Sequence, residues 1–434
     1  KKTKFSQEIS IITMKDFLFF KSKNIKLYLF FLYFAIVTML TIIWYNYIII
    51  RFPHLIHENG NINYESLHFF FGGLTKNLIE KDEFYQNIYG INFYLSRMPL
   101  IPLFLKWSYL YISKKFLIIL LVKNYLIFSI LFYFLYKFLK KHALVLIVFL
   151  ILFYNPYNTF MIIRLIPEEG ILAILMLSLY ITLLQKEVNF KVLALIIVAI
   201  YFTKASQFLF CYIFSIIPIL MFKNRLKYLP LLLIFISYIA WTSFAYIKIN
   251  KFITPFSITS ISGLTLSVAY HEKFLQLYPN QSPDLLVNDI VKKKIDKINS
   301  FENEIEFNRS FKEDIVLKIS NDKSFVLKSF LKKIHVLFLN VKYDAQNINS
   351  NKFEKIRYSE IPNKIVLFLS ILIFLIAMIK KMLRKEDLYF ITILSVYLIP
   401  YLIGFLYTRH LVPIYILCHF YLFLKYIKLK NVYG

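Results

Sequence analysis

Residues 51–102 read RFPHLIHENGNINYESLHFFFGGLTKNLIEKDEFYQNIYGINFYLSRMPLIP, the densest polar stretch between apolar runs in the chain. It holds the acids Glu58, Glu65, Glu80, Asp82 and Glu83, the histidines His54, His57 and His68, and Arg97 set just before Pro99. The run before it, 26–50, is apolar and long enough to cross a bilayer, whose hydrocarbon core takes about 20 helical residues. A polar stretch delivered by a membrane helix reads as one wall of a site at the membrane surface. The remaining sequence then reads as the scaffold that holds that wall.

Composition supports the scaffold. Hydrophobic residues make up 59% of the 434 positions, against about 45–50% in soluble domains, and mean hydropathy is +0.60. The expected class is an all-α polytopic membrane protein. Its net charge of +27, from 52 Lys and Arg against 25 Asp and Glu, also suits nucleic acid. The lysines, however, sit at the ends of apolar runs, where they hold helix ends in headgroups and orient the chain. Membrane lipids, and not nucleic acid, are the expected partners. Cys211 and Cys418 lie inside apolar runs, with no CxxC, zinc or disulfide spacing. The three histidines of 51–102 show no two-His-one-carboxylate spacing, so neither a metal nor another cofactor is expected. The first apolar run is too long for a cleavable signal and reads as a retained anchor.

Further apolar runs cover 116–138, 143–164, 167–185, 191–204, 206–222 and 228–248, then 363–381, 388–407 and 410–428. The run 99–113 is short and opens on two prolines. Treating it as interfacial puts Lys137/Lys140/Lys141, Lys186/Lys191, Lys223/Arg225/Lys227, Lys380/Lys381/Arg384/Lys385 and Lys425/Lys428/Lys430 all inside, as the positive-inside rule asks. About 10–11 membrane helices result, in a plasma (inner) membrane. The loop 51–98, the turns 155–167, 204–206 and 408–410, and the segment 251–361 then share the external, periplasmic face. The expected organisation is a membrane module over 1–250, a large external loop over 251–361 and closing helices over 362–434. Within the large loop, PFSITSISGLTLSVAYHEKF reads as extended and 284–320 as helical. SNDKSFVLKSFLKKIHVLFL reads as a capped amphipathic helix lying along the membrane.

The nucleotide fingerprints GxGxxG and the P-loop are absent, as are HExxH, GxSxG and a DxD pair. A membrane-borne substrate fits that pattern. Glu58, next to His57 and before Gly60, is the favoured catalytic carboxylate, because a carboxylate at a dry membrane face can be tuned to accept a proton. Asp82 and Glu83 form a second candidate pair; two exposed acids balancing Lys81 would look the same. Arg97 is the favoured phosphate ligand, since the guanidinium fork matches phosphate geometry. Lys123, Arg164, Glu168 with Glu169, Lys204, and Arg409 with His410 complete the polar groups near helix ends, where ionisable residues are costly and often functional. Structural ion pairs and interfacial anchors are the competing reading of each.

In their order along the chain these residues resemble the GT-C superfamily of membrane glycosyltransferases, in particular the bacterial branch similar to protein O-mannosyltransferases and aminoarabinose transferases. The resemblance runs through an acidic first loop (Glu58, Tyr64), an Arg-x-Pro element (Arg97, Pro99, Pro102), Lys123-Asn124, an Arg…Glu turn (Arg164, Glu168), Thr203-Lys204, a Ser/Gly element within Ile258 to Leu266, a surface helix at Ser324 to Lys333, and Arg409 with Pro413. Glu58 stands where the family usually carries Asp. The resemblance implies inverting transfer of a sugar from a polyprenyl-phosphate donor to a lipid, glycan or protein acceptor at the external face. Glu58 would be the base, and Arg97 with Lys204 or Arg409 would hold the leaving phosphate. An O-antigen-type polysaccharide polymerase and a lipid-linked glycan transporter or flippase are the alternatives. The acidic first loop favours the transferase over the polymerase. A transporter calls for paired broken helices or inverted repeats near mid-membrane, and the sequence shows neither.

Overall fold

A computed structural model of the chain describes residues 23–64, 72–88, 90–165, 168–254, 259, 262–278, 283–297, 303–339, 359–404 and 406–433. The candidates Glu65 and His68, and Ile258 of the Ser/Gly element, lie outside these residues. The N-terminal half contains α1 (Lys23–Arg51), α2 (Gly72–Glu80), a short antiparallel hairpin β1–β2 (Gln86–Ile88, Ile91–Phe93), α3 (Leu100–Tyr111), α4 (Phe116–Leu139), α5 (His142–Phe153) and α6 (Pro156–Ile163). It continues with α7 (Glu168–Leu184), α8 (Phe190–Thr203), α9 (Phe208–Met221) and α10 (Leu229–Ile249). The long segment then folds into α11 (Ser262–Ala269), α12 (Val287–Lys297), α13 (Glu304–Asn321) and α14 (Lys323–Phe338). The chain closes with α15 (Glu360–Ile379), α16 (Lys385–Ile403) and α17 (Val412–Tyr433).

Six helices among the described residues are long and apolar enough to cross a membrane: Phe31–Ile50, Phe116–Leu139, Arg225–Ile249, Glu360–Ile379, Lys385–Ile403 and Thr408–Lys428. This is an all-α, multi-pass architecture with fewer full-length helices than the apolar runs promised. The shortfall has local causes. The run 143–164 breaks at Asn155-Pro156 and bends by 92°. There the Asn155 side chain accepts from the N–H groups of Tyr157 and Asn158, and Pro156 occupies the first helical turn, so a new helix starts where the old one stops. Helix α3, with 12 residues, extends about 18 Å and α8, with 14, about 21 Å, both short of a ~30 Å hydrocarbon core.

α7 is the axis of the bundle. Every residue from Glu168 to Leu183 except Ile171 is buried, against α4, α6, α8, α16 and α17. A helix apolar on every side must be wrapped by others. Gly170 permits the closest of these contacts: a Cβ there would lie 2.6 Å from the Met161 carbonyl oxygen and 2.7 Å from the Ile162 Cα. The missing side chain seats the start of α7 on the end of α6.

The long segment differs from expectation at its beginning. Ser262–Ala269 is helical, not extended. Gly263 lets α11 lie directly on α13, where its N–H donates to the Asn308 Oδ1 at 2.5 Å. A second, separate core forms here from Phe93, Leu264, Val268, Leu286, Ile290, Val291, Phe307 and Phe311. Phe93 belongs to β2, so the first loop and the long segment fold together as one satellite unit. Further on, α14 starts at Asp322, whose carboxylate accepts from the Phe325 N–H at 2.9 Å. Leu327, Phe330 and Leu331 are exposed on its outer side.

Lysines close several helix ends. Lys123 on α4 donates to the carbonyls of Ile162, Ile163 and Arg164 at 2.7, 2.9 and 2.5 Å. Lys333 on α14 donates to Leu402 and Ile403 at the end of α16, at 3.0 and 3.2 Å. Lys364 on α15 donates to Val336 and Leu337 at the end of α14, at 2.5 and 2.9 Å. The last carbonyls of a helix have no partner within it and carry partial negative charge, so a buried ammonium satisfies them and is itself satisfied.

Candidate functional site

Two carboxylates sit in the first turn of α7, where the positive end of the helix dipole favours them. Side chains from distant parts of the sequence converge on them. Lys204, at the end of α8, lies 3.1 Å from Glu168 Oε2 and 2.5 Å from Glu169 Oε1. Arg97, just ahead of α3, brings Nη1 to 3.6 Å from Glu168 Oε1. His410, in the turn before α17, brings Nε2 to 3.4 Å from Glu169 Oε1. The charge of Arg409 acts on Glu169 as well, and its guanidinium lies 4.7 Å from the Tyr407 ring. Lys204 also lies over the Tyr401 ring at 5.5 Å.

Among the described residues, Arg97, Lys204 and Arg409 act on these two carboxylates, three cations to two acids before the imidazole is counted. Arg97 and Lys204 keep 19% and 13% of their side-chain surface exposed, against 9% and 6% for Glu168 and Glu169. The carboxylates lie deeper, and the cations form the accessible layer above them. Guanidinium and ammonium donors are held in position here by buried acids.

His410 is held in one tautomer. Its Nδ1 accepts from the Tyr407 N–H at 3.3 Å, which places the proton on Nε2, facing Glu169. Tyr401 stacks on the ring at a centroid distance of 4.3 Å, and the Tyr397 hydroxyl donates to the His410 carbonyl at 2.8 Å. In this arrangement the residue is a neutral donor where the sequence suggested a cation.

Other candidates fall elsewhere. Lys123 closes the end of α6 as described, a structural task in place of the substrate contact expected. Arg164 follows that helix end and rests its guanidinium over the Phe160 ring at 5.8 Å. Asp82 pairs with Lys106 on the surface; the hydrogen bond and charge of Lys106 hold its carboxyl below the ordinary carboxylate range. Glu83 is exposed beside it.

Glu58 is exposed in a turn bonded to the chain at the far end of α3: Ile62 N–H donates to Lys114 O at 3.1 Å and Phe116 N–H to Gly60 O at 3.1 Å. Arg97 precedes the near end. A 12-residue helix therefore lies between them, about 18 Å along its axis. Among the described residues, the carboxylate that meets Arg97 is Glu168. Among the described residues, no group of three or more His, Cys, Asp or Glu could hold a metal ion.

Two further positioning residues shape the site, one without a recognisable signal in the sequence and one with it. Glu304, fully buried at the start of α13, accepts from the N–H groups of Tyr94 and Leu95 at 2.9 and 3.1 Å. Gly170, directly after the paired acids, was a readable sign that the backbone makes a close approach there. No family model, no curated protein and no solved structure matches the chain.

Proposed function

We propose that the chain is a membrane glycosyltransferase that takes a sugar from a polyprenyl-phosphate donor. The observation that carries this reading is the cation excess at Arg97, Lys204 and Arg409, layered over two buried glutamates at one end of an apolar bundle. A phosphate on a lipid tail matches both halves: the headgroup meets donors built for an oxyanion, and the tail meets membrane-facing helices. A lipid-borne donor also agrees with a sequence that has no nucleotide cradle.

In this reading the acceptor hydroxyl oxygen attacks the anomeric carbon, and the bond from that carbon to the phosphate oxygen breaks. Arg97 and Lys204 take up the charge that develops on the leaving phosphate. Phosphate competes with Glu168 for both cations, which frees a Glu168 oxygen to accept the proton of the attacking hydroxyl. The role expected of Glu58 thus passes to Glu168. The active site would face the external side of a plasma membrane, with the lysine-rich helix ends inside.

The test is to give the purified protein a radiolabelled polyprenyl-phosphate sugar and follow release of polyprenyl phosphate. Glu168→Gln is expected to abolish release while leaving donor binding in place, with some loss of thermal stability because buried cations lose a partner; unchanged turnover in that variant removes the assignment. Growth of a lipid-linked glycan would indicate the polymerase instead. Movement of intact donor across a vesicle would indicate the flippase.

A further inference from the structure

Arg97 is the one cation of the cluster that comes from the first loop, and it lies in an irregular stretch between β2 and α3. Its guanidinium reaches Glu168 at 3.6 Å, and the backbone just ahead of it is held from a distance. The fixation comes from 207 residues away in sequence. Both oxygens of the Glu304 carboxylate reach this stretch: Oε1 accepts from Tyr94 N–H at 2.9 Å and Leu95 N–H at 3.1 Å, and Oε2 accepts from Leu95 N–H at 3.1 Å. Charge-assisted bonds of this kind are about twice as strong as neutral ones.

Glu304 itself is anchored. It follows Asn303, whose side chain accepts from Ile305 and Glu306 N–H to start α13, and it occupies the first helical turn, where negative charge is favoured. One turn on, Phe307 packs edge-on against Phe93 at 5.6 Å between ring centroids. Asn308 grips α11 through Gly263. The satellite core therefore holds both the strand that leads into the Arg97 stretch and the carboxylate that clamps it.

We propose that Glu304 is a positioning residue for the anion site: it fixes the backbone two and three residues before Arg97, so that the satellite unit sets the guanidinium against Glu168. The proposal rests on the phosphate-binding reading above for its consequence in binding, but the clamp can be observed without any ligand. Release of the clamp leaves the bundle and the Lys204 ion pairs in place and lets Arg97 leave Glu168.

Two measurements on the full-length protein test it. Hydrogen exchange reads the Tyr94 and Leu95 amides directly. Glu304→Gln, which keeps the side-chain size but loses the charge, is expected to speed their exchange at least tenfold, with amides of α7 and α16 unchanged. Glu304→Asp is expected to fall between the two. Binding of farnesyl phosphate, the probe for the site, is then compared in Glu304→Gln, Arg97→Ala and the double variant. The double variant is expected to bind no more weakly than Arg97→Ala alone, because both changes remove the same guanidinium; a purely structural defect would add to the loss.

Unchanged exchange at Tyr94 and Leu95, or additive losses of binding, overturns the clamp. Faster exchange there in Glu304→Gln, together with a wild-type protein that does not bind farnesyl phosphate, overturns the phosphate reading and leaves the clamp standing. If Glu304→Gln does not fold, Tyr94→Pro and Leu95→Pro separately delete one donor each, and only clamp loss predicts the same weakened binding from either.

Discussion

The chain holds two buried ionic clusters at opposite ends of α16, about 28 Å apart for its 19 residues. At the end opposite the candidate site, Glu386 and Asp387 meet Lys425 and Lys428 of α17. Lys425 lies 2.6 Å from Asp387 and Lys428 2.7 Å from Glu386. Asp387 also accepts from the Tyr421 hydroxyl and the Arg384 N–H. Two charges of each sign cancel, drawn from two neighbouring helices. At the site end the charges come from four separate segments, and cations outnumber acids. Balanced charge suits a cluster that stabilises a fold; an excess of positive charge is what the proposed anion site would use. Count and provenance distinguish the two ends better than exposure does, because cations at both ends keep some exposure, 43% at Lys428 and 19% at Arg97.

That contrast can be broken by experiment. Lys425→Met leaves Asp387 buried beside Glu386 with one cation fewer, and removal of one partner of a buried pair costs about 3–5 kcal/mol. Thermal unfolding in detergent should show that loss, and farnesyl phosphate binding by the folded fraction should match the wild type. A binding defect there would mean that the two ends are coupled. Lys123→Met strips the donors from three helix-end carbonyls and is expected to cost about 2–3 kcal/mol of stability, since unsatisfied buried polar groups are penalised at about 1–3 kcal/mol each and partly relax. Arg97→Ala should do the reverse of Lys425→Met: it should weaken farnesyl phosphate binding by about 10–100-fold, the worth of a hydrogen bond to a charged group, with the thermal transition almost unmoved.

The smallest effect belongs to the surface pair at the start of α14. The Lys318 hydrogen bond, with the Phe325 N–H, holds the Asp322 carboxyl below its ordinary range. Its stabilising contribution is therefore present at neutral pH and is lost as pH falls through the carboxylate range toward the lowered folded value. Acid titration of helix content should show slight fraying of α14 there, absent in Asp322→Asn.

Much of the plan was readable beforehand, and the misses have definite causes. Lysines flanking apolar runs marked helix ends, and Asp322 marked the start of α14, because both signals are local. Arg97, Glu168, Lys204 and His410 stood out as ionisable groups beside apolar runs, and they do converge. Glu58 misled because a polar loop after a long membrane helix looks the same whether it folds over the bundle or, as here, pairs with the chain at Lys114 to Phe116. Lys123 misled because nothing in a sequence says that a neighbouring helix will end opposite a buried lysine. The Asn155-Pro156 break was available as a helix-start signal and was masked by the apolar residues on either side. Glu304 was invisible: its partners are backbone N–H groups, which no side-chain pattern reports.

The lysine caps also bear on biogenesis. A chain inserted N-terminus first makes Lys123 before the carbonyls of residues 162–164, so that helix end can be closed as soon as it emerges. The order is reversed at Val336 and Leu337, whose carbonyls precede Lys364 by 28 and 27 residues. Their helix waits for α15 to arrive, and a nascent chain stalled short of Lys364 would present an open end to whatever quality control inspects it.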